Sequence, residues 1–118
     1  KKYLTGQVVT IEKINAAEQF FSSHFPNPES KSFNRNGWEY ILKQHDGRLP
    51  IKIRSVLEGT VVRLKDATTL MTIENTDPKC FWLPEYLETL LGQIWYPTAA
   101  STRSLALRRA LRRFMQET

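Results

Sequence analysis

The stretch Met71-Thr72-Ile73-Glu74-Asn75-Thr76-Asp77-Pro78-Lys79-Cys80-Phe81-Trp82-Leu83-Pro84-Glu85-Tyr86-Leu87-Glu88-Thr89-Leu90-Leu91-Gly92-Gln93-Ile94-Trp95-Tyr96-Pro97-Thr98 decides the fold. Its opening residues are β-rich, and Asn75-Thr76-Asp77-Pro78 closes the strand with turn formers. Leu83-Pro84-Glu85 then reads as a helix start, because proline is tolerated in the first turn and an acid there complements the helix dipole. Tyr86, Leu87, Leu90, Leu91 and Ile94 supply an apolar stripe at helical spacing. Pro97 is expected to break or kink this helix. Strand, turn and helices in one run define an α+β fold.

Upstream, Thr10 reads as an N-cap with Glu12 in the first turn, and Ile11, Ile14 and Phe21 share one face. That predicts a helix over about 11–23, ended by the two prolines of Phe25-Pro26-Asn27-Pro28. Asn36 reads as the cap of a second helix over about 37–45, with Trp38, Ile41 and Leu42 inward and Asp46-Gly47 as its stop. From Leu49 the period changes to two. Ile51 and Ile53 alternate with Lys52 and Arg54, the pattern of a half-buried strand over about 50–55. Two more β-rich runs, about 60–64 and 69–74, are joined by Lys65-Asp66-Ala67 as a short hairpin. The expected architecture is thus a small sheet of about three strands packed with helices over about 11–23, 37–45, 84–96 and 99–117.

With 118 residues the chain fits a single domain, 1–118, and its 41% hydrophobic and 11% aromatic content is that of a folded one. No apolar run approaches the roughly 20 residues that span a bilayer, so no membrane partner is expected. The opening Lys1-Lys2-Tyr3-Leu4-Thr5-Gly6 does not read as a secretory signal, and a single cysteine, Cys80, cannot form an internal disulfide. A cytoplasmic location is the expectation. A first residue other than Met, and a last stretch that stops inside a helical pattern, read as a piece of a longer protein.

Candidate chemistry is sparse. His24 and His45 have no second ligand at zinc spacing, and Cys80 reads as a packed thiol beside aromatics, not as a nucleophile. Asp77 before Pro78 reads as a cap for backbone amides. The glycines are scattered singly, so no phosphate loop is present. No catalytic or metal-ligating residue follows from these positions. The net charge of +5 is unevenly spread: five arginines fall between Arg103 and Arg113, and Arg108, Arg109, Arg112 and Arg113 lie off a face made by Leu107, Leu111 and Phe114. The aromatics occupy positions that read as buried and none is interleaved with these arginines, so a nucleic-acid platform is not the expected use.

Several motifs together resemble one family. They are Lys2-Tyr3-Leu4-Thr5-Gly6-Gln7-Val8-Val9-Thr10, Asn36-Gly37-Trp38-Glu39-Tyr40-Ile41-Leu42, Asp46-Gly47-Arg48-Leu49-Pro50-Ile51, Glu58-Gly59, Ile73-Glu74-Asn75-Thr76-Asp77-Pro78, Glu88-Thr89 and Trp95-Tyr96-Pro97. The combination resembles the N-terminal region of the nicotinamide phosphoribosyltransferase family, a type II phosphoribosyltransferase. It extends over nearly the whole chain.

The resemblance implies an enzyme of NAD salvage. Such enzymes transfer a phosphoribosyl group from phosphoribosyl pyrophosphate to nicotinamide, with magnesium, and ATP stimulates them through a phosphorylated histidine. It also implies a homodimer and a catalytic barrel domain that this chain does not carry. No catalytic residue or cofactor is therefore carried over, and neither His24 nor His45 matches the phosphorylated histidine. Thr102 and Ser104 match a Thr-x-Ser stretch near the family's substrate tunnel and dimer-facing helices, which makes Thr102, Arg103 and Ser104 the candidate site residues. Leu105 stands where the family usually has an arginine, and Arg103 lies about 200° from it around a helix. The hairpin residues Lys65-Asp66-Ala67 also lack the family's Pro and Gly. The implied role is a scaffold and dimer-interface domain, inactive alone, whose partner is the barrel. The alternative is a self-contained basic module that uses the Arg103–Arg113 helix for an anionic partner such as nucleic acid.

Overall fold

The computed structural model describes residues 3–25, 33–63 and 69–117. The chain divides into two compact units, residues 1–83 and 84–118.

In the first unit α1 spans Ile11–His24 and α2 spans Arg35–Gln44. Thr10 caps α1, its hydroxyl accepting from the Lys13 amide at 3.4 Å. The cap of α2 is Asn34, not Asn36: the Asn34 side chain accepts from the Gly37 amide at 3.1 Å, and Asn36 lies inside the helix. Arg35 ties the two helices together. Its guanidinium donates to Glu18 at 2.6 Å, Glu39 at 2.8 Å and Asn15 at 2.9 Å.

A turn with both central residues at positive φ, Asp46 at 50° and Gly47 at 68°, carries the chain out of α2. Glycine is required there because a Cβ would run into the Val9 carbonyl oxygen. The Gly47 carbonyl accepts from the amides of Val8 and Val9, both at 3.0 Å, which fixes the lead-in strand-like segment against this turn. Val9, Ile14, Ile41, Cys80 and Leu83 are buried, with Ile41, Cys80 and Leu83 at 0% exposure. Trp38 meets Trp82 edge-on at 5.0 Å over this core.

The sheet is an antiparallel pair among the described residues, β1 (Ile51–Ser55) with β2 (Met71–Asn75), in the register Ile53↔Ile73. Among the described residues fewer strands form than the sequence predicts. Residues 60–63 are irregular, since β2 takes up the ladder with β1 and Gly59, at φ 82°, turns the chain away. The Lys65-Asp66-Ala67 connection lies outside the described residues. Ile53 is 38% exposed, so the ribbon's apolar side is wetter than its alternation predicts.

The helix α3 spans Leu83–Glu117 without a break, where the sequence predicts two helices separated at Pro97. Proline at 97 deprives the Gln93 carbonyl of its usual donor and strains the next bond. The Thr98 hydroxyl donates to the Ile94 carbonyl at 3.0 Å, within the helix that runs on past the proline. Phe81, Trp95 and Phe114 are 75%, 71% and 67% exposed, against the sequence expectation of buried aromatics.

Candidate functional site

A polar cluster among the described residues of the first unit is built on Asn75-Thr76-Asp77-Pro78-Lys79-Cys80. A residue before proline is pushed into extended backbone, and Asp77 adopts φ −122°, ψ 118°. From there it caps the 3-10 turn Pro78–Cys80, its Oδ1 accepting from the Lys79 amide at 2.9 Å. The Asp77 carbonyl accepts from the Cys80 amide at 2.8 Å and from Asn75 Nδ2 at 2.9 Å.

The other carboxylate oxygen turns to α2. Asp77 Oδ2 accepts from the Tyr40 hydroxyl at 2.9 Å and lies 2.8 Å from His45 Nε2. His45 is the residue that ends α2, so this carboxylate pins the helix terminus to the turn. The Tyr40 and His45 rings meet edge-on at 5.9 Å, and Lys79 Nζ lies 5.3 Å from the Tyr40 ring centre.

These contacts set the ionisation of the cluster. The His45 bond, followed by the Lys79 amide, holds the Asp77 carboxyl below its ordinary range. The same carboxylate pushes the Tyr40 phenol up, since losing a proton there would break the hydrogen bond beside a negative charge. Burial raises the Cys80 thiol, which keeps it protonated and a poor nucleophile. The donor atoms of His45, Asp77 and Cys80 all lie within 4.8 Å of one another.

The sequence reading of Asp77 as an amide cap describes its Oδ1 contact. It missed the gathering of His45, Asp77 and Cys80, because His45 lies 32 residues before Asp77 and no short-range spacing marks the pair. His24 is elsewhere, at the end of α1, stacked on Phe20 at 4.1 Å.

Thr102, Arg103 and Ser104 stand exposed on α3. The Thr102 hydroxyl is spent on its own helix, donating to the Thr98 carbonyl at 2.9 Å. Arg108, Arg109, Arg112 and Arg113 are exposed on the same helix. Among the described residues no helix is long and apolar enough to cross a membrane.

Fold and cluster together define a small α+β domain in which a carboxylate-centred turn locks a helix to a two-stranded ribbon. Residues 1–53 match a family model described as nicotinamide phosphoribosyltransferase, N-terminal domain. The chain is 43% identical over 117 residues to the nicotinamide phosphoribosyltransferase of Xanthomonas campestris pv. campestris (strain 8004), covering 99% of this chain and 24% of that protein. It is 33% identical over 82 residues to the nicotinamide phosphoribosyltransferase of Acinetobacter baylyi (strain ATCC 33305 / BD413 / ADP1), covering 68% of this chain and 16% of that protein. The chain belongs to the nicotinamide phosphoribosyltransferase family and carries its N-terminal domain. It spans a quarter or less of the length of these relatives.

Proposed function

We propose that this chain is the N-terminal part of an enzyme that makes nicotinamide mononucleotide and pyrophosphate from nicotinamide and phosphoribosyl pyrophosphate in NAD salvage. The observation that carries the reading is the 43% identity over 99% of the chain to a relative named for that activity. Within the enzyme the domain supports the catalytic barrel and contributes helical surface to a homodimer in the cytoplasm. It is inactive alone. The exposed Thr102, Arg103 and Ser104 of α3 face the substrate tunnel or the dimer interface in the assembled enzyme.

The family's reaction uses magnesium and ATP. Magnesium prefers hard oxygen ligands in octahedral array. The one cluster of ligand atoms found among the described residues offers an imidazole, one carboxylate and a thiol, which does not fit that ion.

The test is a chimera in which residues 1–118 replace the matching segment of the Xanthomonas relative. Nicotinamide mononucleotide formation by the soluble chimera is expected, and none by the 118-residue chain alone. A folded chimera without activity overturns the assignment, and activity of the isolated chain overturns its dependence on a barrel. The second reading, an anion-binding module, is favoured by the exposed arginines of α3. It requires binding to random DNA that falls steeply with salt as counterions are released.

A further inference from the structure

The geometry points to a zinc-binding site formed by His45, Asp77 and Cys80. The three donor atoms lie within 4.8 Å of one another, and each sits on a backbone position fixed by a hydrogen bond. The His45 amide donates to the Ile41 carbonyl at 3.0 Å, the Asp77 carboxylate caps Lys79, and the Cys80 amide donates to the Asp77 carbonyl at 2.8 Å. The anchor is preorganised. Cys80 is fully buried, while the His45 and Asp77 side chains keep 30% and 16% exposure, which leaves an ion a way in from solvent.

The donor set selects the metal. Imidazole nitrogen, carboxylate oxygen and thiolate sulfur are the ligands of zinc, and a thiolate disfavours magnesium and calcium. His45 Nε2 and Asp77 Oδ2 lie 2.8 Å apart. Two zinc bonds of about 2.0 Å at a tetrahedral angle need roughly 3.3 Å, so that pair opens by about half an ångström. The Cys80 sulfur closes in from at most 4.8 Å by a change of side-chain rotamer. Water takes the fourth position. Tyr40 stays on Asp77, where its hydroxyl orients the carboxylate from outside the ligand set.

The protons balance. His45 presents Nε2 to the ion, which leaves Nδ1 as the ring nitrogen that carries a proton. The Cys80 thiol gives its proton to solvent as the sulfur–zinc bond forms, so zinc binding releases acid. The thiolate and carboxylate together neutralise the double charge, which suits a site whose sulfur is buried.

The experiment titrates the metal-free chain with Co2+ and then displaces the cobalt with Zn2+. Expected are one ion per chain, a thiolate-to-cobalt charge-transfer band in the near ultraviolet, and a thermal midpoint that rises with zinc concentration. Cys80→Ser is expected to abolish the band, and His45→Gln to weaken zinc binding at least tenfold. His45→Gln acts at a partly exposed side chain, so its folding is checked separately by the Trp38–Trp82 near-ultraviolet dichroism. No stoichiometric binding, or zinc binding by folded His45→Gln equal to that of the parent, overturns the site. The outcome is independent of phosphoribosyltransferase activity.

Discussion

Gly47→Ala tests the joint on which the first unit turns. Gly47 sits at φ 68°, where an L-residue costs about 1–2 kcal/mol. A Cβ there also meets the Val9 carbonyl oxygen, so the lead-in segment must move away. Moving it loosens two bonds, from the Val8 and Val9 amides to the Gly47 carbonyl at 3.0 Å, each worth about 1 kcal/mol net. The sum is about 3 kcal/mol, a large share of the roughly 5–15 kcal/mol that holds a domain folded. Gly6→Ala is the control, because Gly6 has φ 81° and open space where its Cβ would go. It bears the backbone cost alone. Urea unfolding of both variants, followed by tryptophan fluorescence, separates the two contributions. If Gly47→Ala costs no more than Gly6→Ala, within about 0.5 kcal/mol, the steric reasoning about Val9 is refuted.

Two further perturbations address the Asp77 junction and Pro97. The folded-state pKa of Asp77 is depressed, so the unfolded chain takes up a proton first as pH falls below about 4. The stabilisation from Asp77 is therefore complete above that pH and is lost as pH falls through the folded value. In chelator, Asp77→Asn is expected to lower stability at neutral pH and to flatten the acid limb, and parallel acid limbs would refute the linkage. Pro97→Ala restores a helix amide within α3 and is expected to raise the stability of that helix by up to about 3 kcal/mol. Far-ultraviolet dichroism on heating reads this directly, and a loss of helix content would show that the proline is required for the helix's path.

The parts of this fold that were legible in the sequence are the parts governed by local grammar. Thr10 caps α1 because its hydroxyl reaches an amide three residues on, and that reach is a property of the tetrapeptide 10–13. Asp46-Gly47 ends α2 for the same kind of reason, since only a residue tolerant of positive φ turns the chain there. Strand count was less legible. Thr60-Val61-Val62 has the composition of a strand, but composition reports whether a segment suits a ladder and not whether an edge is free to receive it. Pro97 was misread because a rule about one missing amide does not say whether the helical turns on either side carry the helix through it, as they do from Leu83 to Glu117. The polar cluster was invisible for a further reason. Tyr40 lies 37 residues from Asp77, and only the folded path of α2 beside the turn brings the phenol to the carboxylate.

The exposed second half of α3 bears on what the domain is for. Leu107, Leu111 and Phe114 are 62%, 54% and 67% exposed and recur at the spacing of a single helical stripe. A helix with its apolar stripe in water gains little from burial, so the stripe has a use beyond holding this helix. Arginines flank it at 108, 109, 112 and 113, all exposed. Binding of single-stranded nucleic acid calls for aromatics set among the cations as stacking platforms. The stripe here is mainly aliphatic with cations at its margins, the composition of an apolar contact with a polar rim. The relatives are at least four times as long as the matched segment, and under the proposed function the remainder of such a protein, or its second copy, is where a surface for this stripe is expected. The same pattern that weighs against a self-contained nucleic-acid module therefore fits the proposed role, in which this helix is completed by another protein surface.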